Sequence, residues 1–362
     1  MSFRRPTAIV TAIAAACVTV PRAAATPQLQ SASALFESYR TGDHAAVLTN
    51  LRLIRDWAAF VRDVERRKES WSPTHGAVFL LEAAAFALPP NRAMPFAISV
   101  RLQALGEDLA VRSATSGSFL ADWYHAAIAL QEGRAVGFDE LPSGWGQALQ
   151  PFVERMLERF PSDPVARMAA ARAQESRFFG WLGAGNLHAR NPQPTSPWEA
   201  RALPAARRLM LACSSEFENL MSLPQVGVEA RVRAGFWRLM ADDSEGAARL
   251  LQIAATEARV AADRWHEYLS HLFLGHARVT ADDREGAAHS YRSALQAWPA
   301  ADSARAPLAA VLFGSGKREE AVTVVSSMLA STAQGRDPWV WFPFGDYRFW
   351  SERLERLRAQ LR

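Results

Sequence analysis

Two stretches of this chain repeat each other at a fixed distance, and this repetition limits the available folds more than any other feature. The sequence ADDSEGAARLLQIA begins at Ala241, and ADDREGAAHSYRSA begins at Ala281, an offset of forty residues. Gly235 and Gly275 extend the correspondence upstream. Self-similarity with a period of about 20–50 residues is typical of proteins built from stacked structural repeats.

A third copy follows at an offset of thirty-four residues, where Ala287 and Tyr291 correspond to Ala321 and Val325. In every copy a short polar turn, ADDSEG, ADDREG or GSGKRE, separates two stretches with helical spacing of apolar residues. Asp, Gly and Ser in such turns end one helix and cap the next. Each copy is therefore predicted to be a helical hairpin. No stretch has the alternating pattern of a strand, so an all-α fold is predicted.

The second copy resembles the tetratricopeptide repeat (TPR) family. The positions that carry the resemblance are Leu274, Gly275, Ala287, Tyr291, Ala294 and Pro299. His271 and Arg278 stand where the family has its Trp and its first Tyr. The forty-residue interval implies a lengthened second helix or a wider turn. The resemblance covers residues 229–330 well and 30–215 loosely, and it implies a right-handed α-solenoid of stacked helix-turn-helix repeats.

The pattern divides the chain into four parts. They are a signal peptide at 1–25, degenerate helical repeats at 26–215, TPR-like repeats at 216–335, and an aromatic plug with a C-terminal capping helix at 336–362. A stretch rich in Gly and Pro at 178–198 is predicted to be a long inserted loop before a helix at Trp198.

The first residues have the pattern of a secretory signal, which implies a periplasmic or secreted protein. Basic residues precede an uncharged run, and Ala23 and Ala25 fit cleavage before Thr26. The alternative is a lipoprotein in which Cys17 carries the lipid anchor, although the lipidation pattern favours Leu where this chain has Ala14. After signal removal no transmembrane segment is expected.

Composition and charge argue against several kinds of partner and site. The formal net charge is +4, but Arg4, Arg5 and Arg22 lie in the predicted signal, so the remainder carries +1. Acidic and basic residues are interleaved, whereas nucleic-acid binding needs clustered positive charge. No nucleic-acid partner is therefore expected. Beyond the signal the one cysteine is Cys213, which is predicted to be a buried structural thiol.

The sequence offers no strong catalytic motif. HEYLSHLFLGH contains His266, His271 and His276, but each five-residue step rotates the side chain by about 140° around a helix, so the three do not converge on a metal. The glycines of GWLGAGN lack the preceding strand of a nucleotide-binding loop. The protein is expected to be no enzyme and to have no cofactor. A hydrolase with a site in the N-terminal half or at 178–198 is the alternative.

By the resemblance, the first helices of successive hairpins line a groove that binds a peptide or helix of a partner protein. The residues that the resemblance places in this groove are Glu229, Val232, Phe236, Leu239, Leu269, Leu272, His276 and Val279. Their largely apolar character predicts an apolar ligand. The expected function is a noncatalytic protein interaction scaffold of the bacterial cell envelope or exterior, with an unidentified protein partner.

The stretch WVWFPFGDYRFW, residues 339–350, has seven aromatic residues in twelve positions. Leaving half of their surface in water would forgo on the order of 15 kcal/mol. The stretch is therefore predicted to be a buried plug on the end and flank of the last hairpin, with a partner-binding patch and membrane insertion as alternatives. The following SERLERLRAQLR places its leucines on one face and is predicted to cap the last repeat.

Overall fold

The computed structural model describes residues 31–86, 94–113, 117–134, 145–185, 197–330, 337–342 and 350–362. The predicted signal peptide and Cys17 lie outside these ranges. Every regular element in the described ranges is helical, which confirms the prediction of an all-α fold. Among the described helices, none combines the length and the apolar character needed to cross a membrane.

In chain order, the described residues form a series of α-helices. They are α1 Ala32–Arg40, α2 His44–Leu51, α3 Trp57–Arg67, α4 Pro73–Phe86, α5 Met94–Arg112, α6 Gly117–Arg134, α7 Trp145–Arg159, α8 Pro164–Gly185, α9 Pro197–Glu218, α10 Gly227–Met240, α11 Ser244–Val260, α12 Arg264–Thr280, α13 Arg284–Ala297, α14 Asp302–Gly314, α15 Arg318–Ala330, α16 Pro338–Trp341 and α17 Trp350–Ala359. From α9 to α15 each helix packs against the next. In addition, α12 contacts both α10 and α14, so these three helices form a continuous face, which we call the α10–α12–α14 face.

The turns of the repeats share one backbone pattern. Asp242, Ala262 and Asp282 stand twenty residues apart and have φ angles of 61°, 56° and 58°. In each turn the next residue is an aspartate whose side chain caps the following helix. The left-handed residue reverses the chain, and the cap satisfies a free backbone N–H of the new helix.

Helix length, and not turn length, explains the forty-residue period. Because the three turns are equally short, the long interval comes from long helices. α11 and α12 have 17 residues each, whereas α13 and α14 have 14 and 13. Of the two explanations offered by the sequence, the wider turn is wrong. The second helix, α11, is long as predicted, and the first helix of the next hairpin, α12, is equally long.

Two glycines mark the points where paired repeat helices approach most closely. A Cβ atom built at Gly235 would lie 2.6 Å from Cγ of Leu251, and one built at Gly275 would lie 2.4 Å from the ring of Tyr291. Both pairs are related by the forty-residue offset. The repeat therefore sets a glycine opposite a large buried side chain, as the spacing of small residues in the sequence indicates.

We expect Gly275→Ala to lower the free energy of unfolding by about 1–3 kcal/mol, because the added methyl group would displace the fully buried Tyr291 ring. Gly314→Ala, at the end of α14, is the matched control, since a Cβ atom there meets nothing closer than 3.6 Å. Alanine has the higher helix propensity, so this control should leave stability unchanged or slightly higher. Equal urea midpoints for the two variants would show that the close approach does not constrain the pair.

The buried side chains form two apolar cores that meet at α8. The first core runs from α1 to α8, and the second runs from α8 to α16. Neighbouring residues of α8 belong to different cores, Ala169 to the first core and Met168 to the second core. The boundary predicted between the degenerate and the TPR-like repeats, at residue 215, lies within α9. Cys213 is buried in the second core, which confirms the structural thiol.

The predicted loop at 178–198 is wrong in its first part. α8 continues to Gly185, and α9 begins at Pro197, close to the helix start predicted at Trp198. Single glycines inside a helix cost only about 1 kcal/mol each relative to alanine, which the neighbouring helix-forming residues offset. Residues 186–196 lie outside the described ranges.

The C-terminal helix does not cap the last repeat, so that prediction is wrong. α17 packs against α6 and α4, and Leu357 is fully buried in the first core. On α15, Val322 and Leu329 are 63% and 78% exposed to solvent. The amphipathic pattern of α17 predicted correctly that one side of the helix is covered. The pattern does not indicate which of the two cores covers the helix.

Candidate functional site

Part of the aromatic stretch lies on the α10–α12–α14 face. The ring centroid of Phe342 is 5.3 Å from that of Phe236 on α10 and 5.2 Å from that of Phe273 on α12. Trp339 lies 5.8 Å and 5.4 Å from the same two rings. The four rings form one cluster with tilted and edge contacts, which aromatic pairs favour.

The burial predicted for the aromatic stretch is confirmed for the side chains described. Phe342 is buried and Trp339 is half-buried, but they lie against α10 and α12 and not at the end of the last hairpin. Trp350, at the start of α17, is half-buried against the first core. Phe344, Tyr347 and Phe349 lie outside the described residues. The stretch therefore contacts both cores.

Asp337 fixes the start of α16 on this face. Its Oδ1 accepts hydrogen bonds from the Tyr268 hydroxyl at 2.9 Å and from the Trp339 N–H at 3.0 Å. Its Oδ2 accepts one from the Ser303 N–H of α14 at 2.9 Å. Burial, and then the neighbouring Asp337 carboxylate, raise the pKa of Tyr268, so its hydroxyl stays protonated and donates. Charge-assisted hydrogen bonds of this kind are strong away from water.

Arg233 of α10 holds the other end of the segment. Its Nη2 donates to the carbonyl oxygen of Phe342 at 2.8 Å, and its guanidinium carbon lies 4.5 Å from the centroid of the Phe342 ring. The same side chain donates from Nε to Glu229 at 2.8 Å and from Nη1 to Glu175. Arg233 is 1% exposed, so one buried cation connects the segment with the carboxylates beneath it.

These carboxylates belong to a buried charged network between α6, α8 and α10. Its members are Glu132, Arg172, Glu175, Glu229, Arg233 and Trp237. Arg172 donates to Glu132 at 2.8 Å and to Glu229 at 3.2 Å. Burial raises the pKa of Glu175, while the charge of Arg233 acts in the opposite direction. The network joins helices of both cores to the residue that holds the aromatic segment.

Four of the eight residues predicted to line the groove surround an open pocket. The pocket has a volume of about 480 Å³. It is lined by Phe236, Leu239, Met240, Leu272, Phe273, His276, Ser303 and Trp339. The predicted members are Phe236, Leu239, Leu272 and His276. Sequence reasoning missed Met240 and Phe273, which each follow a predicted residue directly, and it did not place Ser303 or Trp339 on this face.

The other four predicted residues do not line this pocket. Val232 and Leu269 are fully buried between helices. Glu229 is 7% exposed and bonds to Arg172 and Arg233 within the charged network. Val279, near the end of α12, is 44% exposed and lies outside the pocket lining. The apolar pattern of a repeat helix includes both the residues that face the groove and those that pack on the next helix.

The three histidines of α12 have separate partners. His266 Nδ1 lies 2.5 Å from the aspartate carboxylate that caps α12. His271 Nε2 lies 3.2 Å from Nη2 of Arg259, and burial lowers the pKa of His271 to about 4. His276 Nδ1 faces the hydroxyl of Tyr291 at 2.9 Å. Within the part of the chain that the structure describes, no three metal-ligating side chains come together.

The face holds a chain segment through three features, namely a cluster of rings, a set of donors around one carboxylate, and a buried cation on a backbone carbonyl. Comparison with known protein families finds no family model that matches this chain, and comparison with curated proteins finds no matching relative. The α10–α12–α14 face and the segment bound to it are therefore the basis for assigning a function.

Proposed function

We propose that the protein is a noncatalytic scaffold that binds a peptide or helix of a partner protein on the α10–α12–α14 face. In this proposal the helical hairpins form a right-handed solenoid of the TPR type. The observation that supports it most is the seating of residues 337–342. A short segment of this chain is held on the face through its rings, its backbone and one carboxylate, as peptides are held in the grooves of interaction domains.

The pocket beside Trp339 gives this face room for a side chain of the partner. Its walls are mainly apolar, with His276 and Ser303 as polar members. A volume of about 480 Å³ accommodates a large aliphatic or aromatic side chain, and burying one such group contributes about 1.5–3 kcal/mol. The partner is therefore an apolar peptide segment with few polar groups.

The predicted signal peptide supports a location in the periplasm or outside the cell for this scaffold, with a lipid anchor at Cys17 as the alternative. In either location the face would be accessible to proteins of the cell envelope. The charged side chains beneath the face are engaged with one another and with the segment, which favours a structural role for them over a catalytic one.

The test compares binding of the full chain to an array of random peptides with binding of Met240→Glu. Met240 lines the pocket and is half-buried, so a carboxylate there opposes an apolar ligand and still reaches water. Phe236 is unsuitable, since it lies in the ring cluster and Phe236→Glu is expected to unfold the helices around it. Val322→Glu, on the exposed side of α15, is the matched control.

We expect the wild type and Val322→Glu to select peptides that share large apolar residues, and Met240→Glu to bind them at least about tenfold more weakly. Circular dichroism and thermal melting establish that both variants are folded. Equal binding of the selected peptides by all three proteins would exclude this face as the binding site.

A further inference from the structure

The contacts of residues 337–342 depend on particular side chains. Asp337 provides the acceptor for Tyr268 and Ser303. The aromatic rings of Trp339 and Phe342 stand two and five residues later. An aspartate followed at these two spacings by aromatic residues is thus the pattern that the face binds.

The receptor side of this contact is built into the fold. Tyr268, Phe236 and Phe273 lie on α10 and α12 of the second core, and Arg233 is fixed by its bonds to two buried carboxylates. By contrast, α16 has only four residues, and a helix of one turn has no independent stability. The shape of the bound segment therefore comes from the face, which offers the same contacts to any chain with the same side chains.

We propose that the α10–α12–α14 face recognises this pattern in a partner protein, and that the chain's own segment is a competitor which the partner displaces. This inference rests on the proposed function and specifies the partner by its chemistry. The partner segment carries an aspartate, preferably at a helix start, with aromatic residues two and five positions later. Its aspartate takes the place of Asp337 between Tyr268 and Ser303.

Attachment to the same chain makes the native segment a strong competitor. Because the native segment belongs to the same chain as the face, its effective concentration there is on the order of millimolar or higher. A free peptide with identical contacts therefore binds the wild type poorly at micromolar concentration. Weakening the native segment removes the competition and leaves the receptor side of the face intact.

The test uses the full chain and the fluorescein-labelled peptide GRDPWVWFP, residues 335–343, followed by fluorescence anisotropy. Two variants weaken the native segment, Asp337→Ala by removing its buried carboxylate and Trp339→Ala by removing one half-buried ring. We expect the peptide to bind both variants at least about tenfold more tightly than it binds the wild type. It should also raise their melting temperatures, because a ligand that binds only the native state stabilises it.

The control peptide carries the Asp337→Asn change, which keeps the shape and removes the charge that accepts from Tyr268 and Ser303. We expect it to bind both variants at least about tenfold more weakly than the parent peptide. If Asp337→Ala folds poorly, Trp339→Ala still provides the comparison. Absence of peptide binding to folded variants, or equal binding to variants and wild type, would overturn the proposal.

Two further outcomes separate this inference from the proposed function. If peptides from the array bind in a manner that depends on Met240 but GRDPWVWFP neither binds nor competes, the recognition pattern is wrong and the scaffold function stands. A wild-type dimer that GRDPWVWFP dissociates would assign the face to the same segment of a second copy, and would overturn the proposal of a different partner.

Discussion

Arg233→Met is expected to lower the free energy of unfolding by about 3–5 kcal/mol, which is the range for removing one partner of a buried ion pair. The substitution leaves the carboxylates of Glu175 and Glu229 in the core without the guanidinium that contacts both. It also leaves the carbonyl oxygen of Phe342 without its donor. Methionine has a similar length, so the loss reports on charge and hydrogen bonding more than on packing volume.

Arg238→Met is the matched control on the same helix. Arg238 bonds to Glu218 and Asp243, but its side chain is 27% exposed, so water can replace these contacts. We expect a loss of about 1 kcal/mol or less. Urea unfolding followed by circular dichroism measures both variants. Equal losses would show that the buried network does not stabilise the junction of α8 and α10.

Adding Glu175→Gln to Arg233→Met distinguishes an uncompensated charge from simple loss of contacts. If the cost of Arg233→Met comes from a stranded carboxylate, neutralising Glu175 should restore about 1–2 kcal/mol. Burial raises the pKa of Glu175, so a lower pH favours protonation of the stranded carboxylate and should reduce the stability that Glu175→Gln restores. Strictly additive losses in the double variant would contradict this interpretation.

The local architecture of the repeats is predictable from the sequence because its determinants are close together in the chain. Asp243 and Asp283 lie at helix starts that their own side chains cap. Gly275 and Tyr291, which face each other across the hairpin, are only sixteen residues apart in the chain. Turn, cap and close helix contact are all fixed within one hairpin, so a repeated pattern predicts each of them.

The destinations of α16 and α17 are not predictable in this way. Their apolar residues indicate that one side of each helix is buried. The pattern does not indicate which part of the molecule that side packs against. Arg233 and Phe342 are separated by 109 residues, and Glu82 and Arg358 by 276. Such pairs are specified by the assembled cores and not by any local spacing.

The buried charged network was missed for a related reason. Glu132, Arg172 and Glu175 stand among alanines and other helix-forming residues, where charged side chains usually face water. These side chains are buried because α10 packs beside α8 in the folded protein. Of the residues predicted to line the groove, Phe236 and Leu272 line the pocket because their helices present them to the α10–α12–α14 face. The same helical pattern places Val232 in the core.

Arg358 connects the end of the chain to the first core. Its Nε and Nη2 donate to the two carboxylate oxygens of Glu82 at 2.9 Å and 2.6 Å. Glu82 is 1% exposed and also accepts a hydrogen bond from the Tyr39 hydroxyl. Burial and the adjacent Glu82 carboxylate raise the pKa of Tyr39, so this hydroxyl remains a donor and cannot neutralise the charge of Glu82.

Arg358→Met is therefore expected to lower the free energy of unfolding by about 2–4 kcal/mol, because the buried Glu82 carboxylate would lose the guanidinium that donates to both of its oxygens. The matched control is Arg356→Met on the same helix, whose side chain is 52% exposed. It pairs with Glu352 at 3.1 Å and lies 3.9 Å from Asp122 of α6, and the expected change is below about 0.5 kcal/mol. Urea unfolding gives the stabilities, and amide hydrogen exchange of α17 gives the local effect. If α17 exchanges no faster in Arg358→Met than in Arg356→Met, the ion pair does not hold the helix and its apolar side, with Leu357 in the first core, is sufficient.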